Sequence, residues 1–165
     1  MNLPVVLLEG AILAFLLWLM CRLGIRNGAV GMVHLYSTEV QKRAVEQRLT
    51  TEERIRKGAI RFKTVGLLLY FGYIIVTVYF INGARGFTQG FLQSLIIIMI
   101  MGVFDRLAVD LYWVGHTKDW IIPGTEDMRP YITVKDHIFK WCVTLVVYPL
   151  MMALIAFVMS MILKG

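Results

Sequence analysis

From Thr64 to Ile81 the chain carries no charged side chain, and three further apolar stretches lie over residues 3–23, 91–114 and 141–163. A run of about 20 such residues, rising 1.5 Å per residue as an α-helix, is long enough to cross the hydrocarbon of a bilayer. Backbone N–H and C=O groups find no water there, so a spanning segment must close its hydrogen bonds internally. The expected fold is therefore all-α. It is a polytopic membrane bundle of about four transmembrane helices, with a long helical connection after the first and a structured connection after the third. Residues 1–165 are expected to form a single integral membrane domain. The composition agrees: 58% of the residues are hydrophobic and 17% charged, against about a quarter charged in soluble domains.

The charges that remain predict an orientation. Arg22 to Lys63 holds ten Lys/Arg against four Glu, Asn82 to Gly90 holds only Arg85, and Gly115 to Lys140 holds four Lys/Arg and two histidines. The positive-inside rule then places the first and third connections in the cytoplasm and both termini outside, with a bacterial plasma membrane as the expected location. Trp18, Tyr112, Trp113 and Trp141 fall near the cytoplasmic boundary, the depth that amphipathic rings favour. Only Asn2 precedes the first apolar run and its first basic residues follow it, so that run reads as a retained span rather than a signal peptide. The net charge of +6 is accounted for by topology and contact with anionic lipid, and nucleic acid is not an expected partner. Cys21 and Cys142 form no CxxC pair and are expected to be free thiols.

Within the long connection, Val33, Tyr36, Val40 and Ala44 recur at helical spacing, and Val45 and Leu49 continue an apolar stripe. The pattern predicts an amphipathic helix lying on the inner membrane surface. Thr50 and Glu53 offer a capping box, from which a second helix would run through Arg56 and Arg61 into the second span. Three roles fit this basic region: topology and lipid contact, a protein-docking platform, or a phosphate-binding surface. Gly24 to Gly31 is glycine-rich but follows a membrane helix rather than a strand. It reads as a flexible exit from the membrane, not a dinucleotide fingerprint.

The third span closes on the most informative stretch, Phe104 to Trp120. By helix rise Asp105 sits roughly 10 Å inside the cytoplasmic edge, and Glu9 roughly 9 Å in from the opposite side. Acids at such depths require a protein or aqueous environment. Arg106 and Asp110, four apart, can meet on one α-helical face, whereas Asp105 and Asp110 would point about 140° apart. Beyond them the Ile122–Thr125 stretch has the form of a type II turn, Trp120, Ile121 and Ile122 are apolar enough to dip into the membrane interface, and Thr133 with Asp136 forms a capping box for a helix starting near Val134. Pro149 should kink the last span.

These residues define a candidate site at the cytoplasmic interface. Asp105, Asp110, His116 and His137 are the candidate catalytic groups, as carboxylates and as imidazoles that titrate near neutrality. Arg106, Lys118, Glu126, Asp127 and Arg129 are the candidate substrate-binding groups. Glu9 and Asp105 are the ends of a candidate polar pathway. No metal site is expected, because His116, Glu126, Asp127 and His137 fit no compact ligand spacing, and no cofactor is indicated. The expected function is binding or processing of an amphiphilic, lipid-linked or anionic substrate, with membrane lipids as partners. The alternatives are an oligomeric ion or small-solute transporter or channel component, and a non-catalytic structural subunit. A homo-oligomer fits the transport reading best, since four spans alone make a narrow pathway.

Overall fold

The computed structural model describes residues 1–163. Four helices are long and apolar enough to cross a membrane: α1 (Leu3–Gly24), α3 (Glu52–Ile81), α4 (Phe87–Val114) and α5 (Val134–Ile162). A shorter helix, α2 (Thr38–Glu46), and a 3₁₀ segment, Ala29–Leu35, fill the connection between α1 and α3. Among the described residues there is no strand, and the chain is an integral membrane helical bundle.

Local sequence explains where the helices begin. Pro4 sits in the first turn of α1, where its missing N–H has no intrahelical partner to lose. The helix leading into the second span starts as expected and runs unbroken through Arg56 and Arg61, but Thr51 caps it rather than Thr50. The Thr51 hydroxyl accepts the amide of Arg54 at 3.3 Å, while Thr50 is buried. Glu52 and Glu53 then place negative charge at the positive end of the helix dipole. At α5 the expected box is complete: the Thr133 hydroxyl accepts the Asp136 amide, and the Asp136 carboxylate accepts the Thr133 amide at 2.8 Å.

Packing is dominated by α1 on α4 and α4 on α5. Gly10 and Gly102 allow the close approach. A Cβ on Gly10 would lie 2.6 Å from Ile100, and one on Gly102 would lie 2.8 Å from Thr144. Gly72, by contrast, faces open space, so it gives no helix contact of the kind its position in a span suggests. Three spans contain π-helical turns, at Val76–Ile81, Asp105–Val114 and Val143–Val147. The last ends two residues before Pro149, which cannot donate to the carbonyl of Leu145.

All the longer connections gather at one end, here called the basic end. The amphipathic stripe is buried as its spacing implies, with Val33, Tyr36, Val40 and Ala44 each at most 7% exposed. Its partner is protein rather than the membrane surface, and the single expected helix is broken at Ser37, whose backbone is extended. Arg43 and Gln47 reach the carbonyl of Gly124, Gln47 at 3.0 Å, and Arg43 pairs with Asp127 at 3.7 Å. Gly124 is in the left-handed region, at φ 76°, as a type II turn requires, and Thr125 N donates to Ile122 O at 3.1 Å. Trp120 and Ile122 do not dip into lipid: they are buried beneath α2 and the 3₁₀ segment as part of the protein core. The glycine-rich exit is likewise ordered from Ala29 onward, where Met32 and Val33 are buried.

Candidate functional site

The basic end of α4 winds as a π-helix from Asp105 to Val114. A π-helix closes its hydrogen bonds on the fifth residue rather than the fourth. Residues five apart therefore stack along the axis, and the 140° separation of Asp105 and Asp110 expected from α-helical geometry does not hold. Arg106 donates one terminal nitrogen to Asp105 and the other to Asp110. Lys140, one turn and a half into α5, donates to the second oxygen of Asp110 at 2.8 Å. Two carboxylates and two cations thus form one cluster, with Arg106 and Asp110 each at most 8% exposed. Such a group is tolerated at membrane depth because each charge has an opposite partner.

This cluster forms the floor of a cavity of about 300 Å³. Tyr36, Trp120 and Tyr131 roof it from the basic-end connections, and Phe62, Tyr70 and Tyr148 wall it from α3 and α5. The roof is fixed by aromatic and hydrogen-bond contacts. Tyr36 donates its hydroxyl to the Trp120 carbonyl at 2.5 Å and meets Tyr131 edge-on at 5.0 Å, and Trp120 meets Trp113 edge-on at 5.4 Å. Burial, and then the neighbouring Tyr131, push the Tyr36 phenol above its ordinary pKa, so it remains a donor. Arg106 Nε and Trp120 Nε1, on residues that line the cavity, are themselves enclosed and have no protein partner.

A second recess, about 370 Å³, lies on the other side of Asp110 and holds His116, Arg129 and His137. His116 is exposed, and its Nδ1 lies 2.8 Å from the Leu111 carbonyl. Arg129 donates to the Gly115 carbonyl at 3.1 Å. The fold therefore brings Asp105, Arg106 and Asp110 together in one cavity, and Asp110, His116, Arg129 and His137 around another. Lys118, Glu126 and Asp127 line neither; all three are exposed, and Asp127 faces Arg43.

Glu9 sits in a different neighbourhood. Asn82 donates its amide to Glu9 and to Gln93, each at 2.9 Å, and Tyr73 donates to the Glu9 carbonyl at 2.9 Å. Between Glu9 and Asp105 the buried side chains of α1 and α4 include Leu13, Leu17, Ile97, Ile98 and Met101. The two acids that mark the candidate pathway are thus separated by apolar packing.

Several lining residues carry no local sequence signal. Lys140 lies 30 positions from Asp110 and reads as an ordinary basic flank. Tyr70 and Tyr148 read as interior span residues. Tyr36 is legible only as part of an apolar stripe, and Trp120 only as an interfacial anchor. His34, half-buried against Phe62 at 5.3 Å, sits just outside the cavity wall; burial, and then Lys63, lower its pKa from 6.5. Among the described residues no group of three His, Cys, Asp or Glu is arranged to hold a metal ion. Cys21, at the cavity, and Cys142 are both free.

Comparison of the chain with protein-family models, with curated proteins and with solved structures finds no match, so its function is argued from this geometry.

Proposed function

We propose that this protein binds an amphiphile at its basic end, with the polar head in the cavity above Asp105, Arg106, Asp110 and Lys140. The observation that carries the reading is one cavity of about 300 Å³ in which a charge-balanced cluster of Asp105, Arg106, Asp110 and Lys140 meets an aromatic and apolar lining. The size and lining, apolar and aromatic with a few convergent polar groups, are those of a small-molecule site. The basic end carries the Lys/Arg-rich connections, which supports a cytoplasmic orientation in a plasma membrane with both termini outside.

Binding fits better than catalysis. Both oxygens of Asp110 already accept from cations, so it is not free to take a substrate proton, and Arg106 holds one oxygen of Asp105. His116 and His137, the other candidate acid–base groups, line the adjoining recess rather than this cavity. A structural role has its own support, because Arg106, Asp110 and Lys140 clamp α4 to α5. The two readings separate on Val109→Phe, which fills the cavity without touching the charges. Native mass spectrometry of the detergent-purified protein should show retained amphiphile on the wild type and its loss in this variant, with similar thermal unfolding. Identical retained lipid in both would leave only the clamp.

A further inference from the structure

The recess of about 370 Å³ between the basic end of α4 and the start of α5 is not used by the amphiphile reading, and its polar lining is basic. Arg129 gives one terminal nitrogen to the Gly115 carbonyl, which fixes the guanidinium at the end of α4. Among the described residues it pairs with no carboxylate. His116 is held in the same way, by Nδ1 on the Leu111 carbonyl. His137 enters half-buried from α5. The one acid in the lining, Asp110, is already matched, one oxygen by Arg106 and the other by Lys140. Capping of helix carbonyls accounts for one nitrogen of Arg129 and one of His116. It leaves an exposed guanidinium edge with no counter-charge, beside two imidazoles.

We propose that this recess binds the phosphate of an anionic membrane lipid. The site is separate from the cavity above Asp105 and stands without it. Guanidinium matches phosphate geometry and bonds it with two parallel donors. The Leu111 contact takes the proton on His116 Nδ1, so Nε2 gains an N–H when the ring is protonated. Imidazole titrates near neutrality, and an anion at Nε2 favours that form. A soluble phosphate ester has the same head chemistry. The surroundings favour the lipid: Leu111, which lines the recess, and Leu107, four residues deeper in α4, are exposed apolar residues of a span. They offer an acyl chain a path into the hydrocarbon below a phosphate held at the interface. A basic recess between helix ends on the side of the Lys/Arg-rich connections is where such headgroups bind.

The test is competition between phosphatidylglycerol and phosphatidylcholine of identical chains for the full-length protein in mixed micelles, read by native mass spectrometry. Phosphatidylglycerol, a diester, should be preferred about five-fold, the value of one cation near an anionic head. Arg129→Gln should abolish the preference, and His137→Leu should lower it about two-fold, the loss of one donor. Lys118→Gln removes a cation that does not line the recess and should leave the preference intact; an equal loss there would mean diffuse surface charge and overturn the site. Val109→Phe, which fills the neighbouring cavity, should also leave it intact. If that variant alone abolishes it, the lipid sits in the cavity, which overturns this assignment and supports the amphiphile reading. Excess glycerophosphoglycerol, the same head without chains, should compete poorly; full displacement by it would overturn the lipid as the source. Because Arg129→Gln also removes the Gly115 contact, hydrogen exchange of the unaltered protein in nanodiscs is the second measurement. Phosphatidylglycerol should protect residues 111–117 and 129–138 more than phosphatidylcholine does, and equal protection in the two lipids would overturn the proposal whatever the variants do.

Discussion

The two ends of the bundle each bury acid, and they satisfy it by opposite means. At the basic end Asp105 and Asp110 are held by Arg106 and Lys140, full charge against full charge. At the other end Glu9 is held by the Asn82 amide, which also donates to Gln93, and among the described residues no ion pair includes it. The first arrangement is costly to disturb because removing one ion leaves another buried and unpaired. The second depends on neutral hydrogen bonds, each of modest net value. The charged end joins α4 to α5, while Asn82 joins Glu9 of α1 to Gln93 of α4.

The comparison is broken most severely at Arg106. Arg106→Leu leaves Asp105 and half of Asp110 without a cation, and should cost about 3–5 kcal/mol of stability. Denaturant titration of the helical signal in mixed micelles measures it; a loss below that of an average surface change would show that the cluster is not buried as described. The matched change at the other end is Asn82→Leu. It removes both hydrogen bonds and strands Glu9 and Gln93, and should cost about 2 kcal/mol by the same titration. Equal losses at the two sites would erase the distinction between charged and neutral satisfaction.

Much of this contrast is hidden in the sequence for an identifiable reason. The four spans, the Thr133 box, the Gly124 turn and the depth of Asp105 follow from hydropathy, capping and helix rise, which are local. The cluster does not, because α-helical angles hold Asp105 and Asp110 apart and only the π winding of Asp105–Val114 stacks them. Lys140 and the aromatic roof arrive from distant positions, and nothing in a local window ties Tyr36 to Trp120 across 84 residues. The same blindness misplaces Trp120 and the stripe of α2. An apolar residue beside a span suits lipid or protein equally by composition, and only the packed connection shows that the partner is protein.

That packed connection allows a smaller test of how independent the roof is from the charged floor. Tyr36→Phe removes one buried hydrogen bond to the Trp120 carbonyl and keeps the ring contacts with Tyr131. It should cost about 1 kcal/mol, and hydrogen exchange should rise at residues 118–125 without a change around Asn82. Exchange that rises equally at both ends would mean that the roof and the far end unfold as one unit.

The smallest expected effect is a pH dependence confined to one end. All three histidines, His34, His116 and His137, belong to the basic-end connections or the start of α5, whereas the Glu9–Asn82–Gln93 group holds none. His34 is the one packed against the fold, tilted against Phe62 beside the cavity wall, and burial followed by Lys63 lowers its pKa from 6.5. A histidine with a depressed folded pKa binds its proton more readily in the opened state. Its contribution to stability is therefore present above about 6.5 and is lost as the pH falls below that value toward the folded pKa. Acidification from neutral should thus lower protection, measured against the intrinsic amide exchange rate at each pH, at residues 29–35 and at the facing turn around Gly58, while protection around Asn82 stays flat. His34→Gln keeps a polar side chain but cannot titrate, and should remove the dependence. If the variant retains it, the proton enters elsewhere, and the exposed His116 and the half-buried His137 beside Asp110 become the groups to replace next.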